Sequence, residues 1–301
     1  MNDTHGATDG MGATSGAHAM DGTRSATCLT CPRACRVPEG GVGFCRARRN
    51  VGGTVVAENY GCVTSLAVDP VEKKPLARFH PGSLLLSVGS YGCNLRCPFC
   101  QNHRIAQAGR DGVPWRRVFP ERLVDLACEE RRRDPRMIGI AYTYNEPLVG
   151  WEYVRDCSRE AHRHGLVNVL VSSGYANAEV IDCLAGLIDA ANIDLKGTAP
   201  TFCDECGFDV STVKGTISRL VASGAHVEVT TLVVPGKNDT PDQVATIARW
   251  LCETSGDIVY HLTRFFPCWC MSDAAPTPVE RVYALADVAR EYLDHVYVGN
   301  C

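Results

Sequence analysis

"SLLLSVGSYGCNLRCPFCQN", residues 83–102, joins an apolar run to three cysteines spaced C-x3-C-x2-C. The run "LLLSVGS" (84–90) has the length and apolar character of a buried strand. Cys93, Cys97 and Cys100 then follow where that strand ends. Three thiols are one too many for a disulfide and one too few for a four-thiolate metal cage. Thiolates favour zinc, copper(I) and iron–sulfur clusters. A cube of four irons ordinarily takes four cysteines, so three leave one iron open to a chelating ligand. Two other readings of the residues stand beside this one. Cys97 and Cys100 also read as a redox pair, and His103 would complete a Cys3His zinc site.

Working outward, short β-rich runs alternate with amphipathic stretches. The further strand candidates are "IGIAYTY" (138–144), "VNVLVSS" (167–173), "ANIDLK" (191–196), "VEVTTLVV" (227–234) and "IVYHLTRF" (258–265). Between them, "PERLVDLACEE" (120–130), "WEYVRDCSREAHRHG" (151–165) and "PDQVATIARWLCET" (241–254) carry helical spacing. Near-continuous apolar strands separated by helices predict parallel pairing, with helices covering the sheet. Six such units predict an α/β fold, a partial (β/α)6 TIM-like barrel in preference to a doubly wound sheet. Chemistry in a barrel gathers at the C-terminal ends of the strands. The polar clusters described below fall at such ends.

The chain has 301 residues, 45% of them apolar, enough for one large domain or two small ones. Its formal net charge of −4 gives no reason to expect nucleic acid or an anionic membrane as partner. No apolar run approaches the ~20 residues of a spanning helix, and the N-terminus lacks a secretory pattern. The expectation is a soluble, cytoplasmic protein. Seventeen cysteines, an odd count without an export signal, point to metal or redox chemistry rather than disulfides.

Residues 1–27, rich in Gly, Ala, Ser and Thr, cannot bury enough surface to offset chain entropy and are expected to form a disordered tail. Residues 28–82 then form a Cys-rich module and lead-in, and 83–301 the barrel. Within the module, Cys28, Cys31, Cys35 and Cys45 are spaced C-x2-C-x3-C-x9-C among Pro, Gly and Arg. So small a unit needs a metal to fold it. Four thiolates suit structural zinc or a second, fully ligated iron–sulfur cluster. The basic run "RRRDPR" (131–136) follows a helical stretch and reads as a solvated helix end.

"GCNLRCPFCQN" (92–102) resembles the cluster loop of the radical S-adenosylmethionine (SAM) superfamily. From about 28 to 300 the chain is similar to the pyruvate formate-lyase activating enzyme family, and within it to the radical enzymes of AmmeMemoRadiSam systems. The supporting stretches are "CLTCPRAC" (28–35), "DPVEKKPLARFHPGS" (69–83), "YTYNEP" (142–147), "NIDLKG" (192–197), "VVPGKND" (233–239), "RFFP" (264–267) and "VYVGN" (296–300). The resemblance implies a [4Fe–4S] cluster on Cys93, Cys97 and Cys100 as the catalytic residues, with SAM chelated at the open iron. One electron would cleave the C5′–S bond, and the resulting 5′-deoxyadenosyl radical would abstract hydrogen from a substrate.

By the same resemblance, Tyr144, Asn145 and Glu146 receive the methionine amino group, where a carboxylate suits an ammonium. Read alone, "NEP" also caps the helix that follows. Ser172 and Ser173 of "VSSGY" (171–175) are candidates for the carboxylate or ribose, or form a Ser-Gly turn. Asp194 and Lys196 share one strand face. The resemblance puts Lys196 near the cofactor carboxylate and Asp194 at a monovalent cation, against the alternative of a plain ion pair.

Two departures stand out from the family pattern. An Arg is expected near Thr230, and a His where Cys268 or Trp269 occurs. His261 and Arg264 are alternative cavity residues. The implied partners are a flavodoxin or ferredoxin as electron donor and a glycyl-radical enzyme, whose backbone glycine loses hydrogen. Another protein or a small molecule is the alternative substrate. A zinc-stabilised binding module without turnover is the reading from another class. The chain ends at "VYVGNC", where similar proteins run on with further cysteines.

Overall fold

The computed structural model describes residues 25–301, so the expected tail lies outside the described residues except at its last three positions. Ala26–Thr27 pair antiparallel with Arg36–Val37, so ordered structure starts two residues before Cys28. A second hairpin, Arg48–Val51 with Thr54–Ala57, completes the small N-terminal module.

The main sheet has eight strands: β1 (Ser65–Pro70), β2 (Leu84–Gly89), β3 (Met137–Tyr142), β4 (Val167–Ser172), β5 (Ala190–Asp194), β6 (His226–Val233), β7 (Val259–Arg264) and β8 (Val296–Gly299). They lie side by side in chain order, β2 to β8 parallel and β1 antiparallel on the edge. All six expected strands form. The sheet is wider than six, because β1 from the supposed lead-in and β8 from the C-terminus extend its edges. The helices α1 (Pro120–Arg133), α2 (Trp151–Arg163), α3 (Pro200–Cys206), α4 (Val210–Ala222), α5 (Pro241–Thr254) and α6 (Val279–Arg290) lie in the crossovers.

Their starts carry the usual signals. Pro120, Pro200 and Pro241 occupy first turns, where a missing N–H costs nothing. The Asp209 side chain accepts from Thr212 N at 2.7 Å and caps α4. Arg131, in the last turn of α1, donates to the carbonyls of His164 and Gly165 beyond the end of α2. The basic run is thus a helix end.

Alternation along each strand divides the sheet into two faces. Large apolar side chains such as Leu86, Ile140, Leu170, Val229 and Leu262 point outward into the core shared with the helices. Small or polar ones point inward: Ala141, Val171, Asn192, Asp194, Thr230 and His261. The two edge strands β1 and β8 do not pair with each other, leaving a partial barrel with an open lumen. The segment after β1 closes its lower end. Val71 and Leu76 pack with Leu85, Ala141, Val169 and Ala190. Asn192 Nδ2 donates to Pro75 O at 2.8 Å and pins this plug to the barrel.

No helix among the described residues is long and apolar enough to cross a membrane.

Candidate active site

Above the plug lies one cavity of about 710 Å³. Cys93, Cys97 and Cys100 line its mouth, and Tyr144, Asn145, Glu146, Ser172, Ser173, Asp194 and Lys196 line its wall. All the residues singled out for the cluster and the cofactor therefore meet in one place. They do so because each ends a parallel strand, and parallel strands end together.

Asn145 shapes the cysteine loop. Its Oδ1 accepts from Ser90 N at 2.8 Å, and its Nδ2 donates to Tyr91 O and Gly92 O at 3.2 and 3.1 Å. The turn that delivers Cys93 is thus fixed from the end of β3. Glu146 is 3% exposed and joins two strand ends. One oxygen accepts from Leu148 N and Ser172 Oγ at 3.0 and 2.7 Å. The other accepts from Ser173 N and Ser173 Oγ at 2.8 and 2.7 Å. The carboxylate thus caps the short helix Pro147–Gly150, as the alternative reading of "NEP" had it, and also lines the lumen.

Tyr144 has φ of 73°, a left-handed conformation that costs a non-glycine residue about 1 kcal/mol or more. Its side chain is anchored. The hydroxyl donates to Asp69 Oδ2 at 2.7 Å, and Lys74 Nζ lies 4.9 Å from the ring centroid. Lys74 also pairs with Asp69 at 2.8 Å. Burial alone would raise the Asp69 pKa, but the bonds from Lys74, Tyr144 and Ser87 hold it below the usual carboxylate range. The stretch "DPVEKKP" thus acts on the site through Tyr144, a role its sequence did not announce.

Lys196 Nζ pairs with Asp194 at 2.9 Å. Burial pushes the lysine pKa down, but Asp194 and Cys97 outweigh it, so the ammonium stays charged. Cys206 of α3 hydrogen-bonds the Cys97 sulfur, which lowers the Cys97 pKa against burial. Burial raises Cys93 well above the ordinary thiol value and pushes Cys100 up to about 11. Across the loop, Cys268 Sγ reaches Cys100 O at 3.6 Å, and Trp269 stacks on His103 at 5.6 Å between centroids. Residues 268–270 thus cover the loop.

His103 points to Cys100 O through Nδ1 at 3.1 Å and does not join the three thiols. Among the described residues, no group of three or more His, Cys, Asp or Glu side chains closes on a single metal ion. Three separated thiols at a roomy mouth suit a polynuclear cluster, which takes one sulfur per iron, better than a mononuclear zinc.

The four N-terminal cysteines line a second, tight cavity together with Arg48 and Asn94. Arg48 reaches the two carboxylate oxygens of Glu152 at 2.8 and 2.9 Å, and Arg33 Nε donates to Asn94 O at 2.7 Å. Asn94 follows Cys93, so the module is docked directly on the three-cysteine loop. Arg48 Nε and Asn94 Oδ1 are buried there without a hydrogen-bond partner among the described residues. An unpaired guanidinium N–H beside four thiols fits an anionic metal–thiolate group.

Two lumen residues were not foreseen as a pair. His261 was an open alternative, and its partner Glu228 was not singled out. A charged residue in the apolar strand "VEVTTLVV", two positions from an inward Thr230, was the available signal. Arg264 instead donates to Thr277 O at 2.7 Å and does not line the cavity.

A model of the radical SAM superfamily matches residues 87–251. An uncharacterised protein of Methanocaldococcus jannaschii is 39% identical over 275 residues, covering 91% of this chain and 80% of that one. The benzylsuccinate synthase activating enzyme of Thauera aromatica is 24% identical over 195 residues, covering 64% of this chain and 58% of that enzyme. Among solved structures, a radical SAM methyltransferase from Sphaerobacter thermophilus aligns with a TM-score of 0.55 at 18% identity. That alignment covers 73% of this chain and 67% of the methyltransferase and reflects the fold alone. The family match spans more than half of the sequence and contains the three-cysteine loop, so this chain belongs to the radical SAM superfamily.

Proposed function

We propose that the chain holds a [4Fe–4S] cluster on Cys93, Cys97 and Cys100 and uses SAM to abstract hydrogen from a substrate. When bound, the two groups supply a 5′-deoxyadenosyl radical by one-electron cleavage of the C5′–S bond. The supporting observation is that the three thiols share one lumen with Glu146, Ser172, Ser173 and the Asp194–Lys196 pair. Glu146 has all its acceptor positions engaged, so its part is to orient Ser172 and Ser173. The serine hydroxyls and the main chain of Tyr144–Asn145 are then the groups that meet the methionine end. Lys196, kept charged, faces the cofactor carboxylate, with Asp194 as its counter-ion or as one ligand of a monovalent cation. The plug closes the lower end of the lumen, and residues 268–270 lie over the three-cysteine loop.

For the substrate, similarity to the activating enzyme of benzylsuccinate synthase favours a partner enzyme, and the resemblance to the pyruvate formate-lyase activating enzyme family favours a backbone glycine in it, with a flavodoxin or ferredoxin as electron donor. A small molecule or another protein is the second reading. The N-terminal cysteines would hold zinc or a second cluster and brace the catalytic loop through Asn94.

The test is anaerobic iron–sulfide reconstitution followed by SAM and dithionite. Wild type is expected to release 5′-deoxyadenosine and methionine, and Cys97→Ala to release neither while retaining its N-terminal metal. Cleavage that persists in Cys97→Ala refutes the assignment. A glycyl-radical signal in a co-incubated partner enzyme would establish the substrate.

A further inference from the structure

Below the residues assigned to SAM, the lumen continues to the plug, and one side chain there is left half satisfied. Glu228, on the inward face of β6, is fully buried. Its carboxylate accepts from Ala77 N and Arg78 N at 2.8 Å each, from His226 Nε2 at 2.9 Å and from His261 Nε2 at 2.5 Å. Burial raises its pKa, but the bonds from the two histidines and the two main-chain amides outweigh this and hold it at about 2. A carboxylate can only accept, so the proton of His261 sits on Nε2. Its other nitrogen, Nδ1, has no hydrogen-bond partner among the described residues, although His261 is only 6% exposed and lines the cavity. The ring cannot turn away, because Glu228 grips one edge and Tyr297 of β8 stacks on its face at 5.6 Å.

A second group points to the same place. Thr263 lies two residues along β7 on the same face, is 9% exposed and lines the cavity, and its hydroxyl makes no hydrogen bond among the described residues. Thr230, opposite His261 in the register, spends its hydroxyl proton on Asn192 Oδ1 at 2.9 Å. The deep lumen thus offers one imidazole acceptor and one free hydroxyl. Glu228 has every acceptor position engaged and Asp194 is paired with Lys196, and the remaining charged lining groups below the SAM residues, Glu72 and Lys73, are exposed residues of the plug. Neither His261 Nδ1 nor Thr263 Oγ1 supplies a charge, so a charged ligand group held between the two would lack a counter-ion.

We infer that His261 Nδ1 and Thr263 Oγ1 form a substrate subsite that takes a neutral hydroxyl group, which donates to His261 and accepts from Thr263. Glu228 is its positioning residue. It fixes the tautomer of His261, much as carboxylates orient ligating and catalytic histidines elsewhere. The inference rests on the upper lumen being the SAM site, because that leaves the deep end for the substrate.

The probe is ethylene glycol, with its dimethyl ether as the control that cannot donate. The full, cluster-loaded chain is labelled at its histidine ring nitrogens, SAM is added, and glycol binding is read from the His261 nitrogen signals and from saturation transfer to the glycol protons. The glycol is expected to shift Nδ1 saturably and the ether to leave it unmoved. His261→Phe keeps a flat ring and removes the acceptor, at the loss of one of the four donors to Glu228. Thr263→Val leaves Glu228 untouched. Each is expected to weaken glycol binding about tenfold, the scale of one buried hydrogen bond. No glycol-dependent shift, an equal response to the ether, or unchanged binding in both variants overturns the subsite. Release of 5′-deoxyadenosine is measured on the same preparation. If it fails while glycol still binds at His261, the radical reading falls and the hydroxyl site stands.

Discussion

Glutamine at position 146 preserves size and removes one acceptor. The Glu146 carboxylate faces two backbone N–H groups, Leu148 and Ser173, one on each oxygen, and two serine hydroxyls. A glutamine amide has one oxygen and one NH2, so whichever way it turns, one backbone N–H meets a donor. A serine hydroxyl can rotate and accept instead, but a backbone N–H cannot. One orphaned N–H at a site 3% exposed costs about 1–3 kcal/mol. For a large domain this lowers the melting temperature by about 2–4 °C per kcal/mol. Ser173→Ala is the control. It deletes one hydroxyl donor and, with it, only the long 3.4 Å contact from Tyr175 N, leaves both backbone N–H groups on Glu146 bonded, and is expected to cost about 0.5–1.5 kcal/mol. Reversible urea unfolding under anaerobic conditions measures both variants. A Glu146→Gln loss below that of Ser173→Ala would refute the reasoning, because it would mean the carboxylate is not holding the two strand ends together.

Asp69→Asn leaves the buried Lys74 ammonium without its counter-charge and is expected to cost about 3–5 kcal/mol in unfolding experiments. The pKa of Asp69 is depressed in the folded state, so its contribution is present above the ordinary carboxylate pKa. It is lost as pH falls toward the folded value. The acid side of the wild-type stability profile should therefore flatten in Asp69→Asn; an unchanged slope would contradict the pairing. Tyr144→Phe removes one hydrogen bond to Asp69 and is expected to cost about 0.5–1.5 kcal/mol and to weaken SAM binding, measured by calorimetry. Arg48→Met breaks the paired contact with Glu152 and exposes the module, which limited proteolysis should detect as faster cleavage before residue 60. Equal proteolysis would show that the module is not docked through Arg48.

Much of this was legible because the features that build the site are sequence-local. The six inner strands are apolar runs with turn signals between them, and the catalytic residues sit where those runs stop. The two edge strands were not read. β8 is four residues long, and β1 ends in Pro70 with half its side chains exposed, so neither shows a buried strand's pattern. Partnerships between strands were also hidden. Asp69 with Tyr144, and Glu228 with His261, lie 75 and 33 residues apart, and only the side-by-side assembly of the strands brings them together. The inward Glu228 did carry a physical signal, since a charge in the middle of a buried strand must have partners.

The central claim is that three cysteines leave one iron of a cube free for SAM. Mössbauer spectra of the reconstituted, isotope-enriched protein, taken with and without SAM, test it most directly. The account predicts that one iron of the cluster separates from the rest when SAM binds and that Cys97→Ala shows no such change. Spectra in which all irons stay equivalent with SAM present would contradict it.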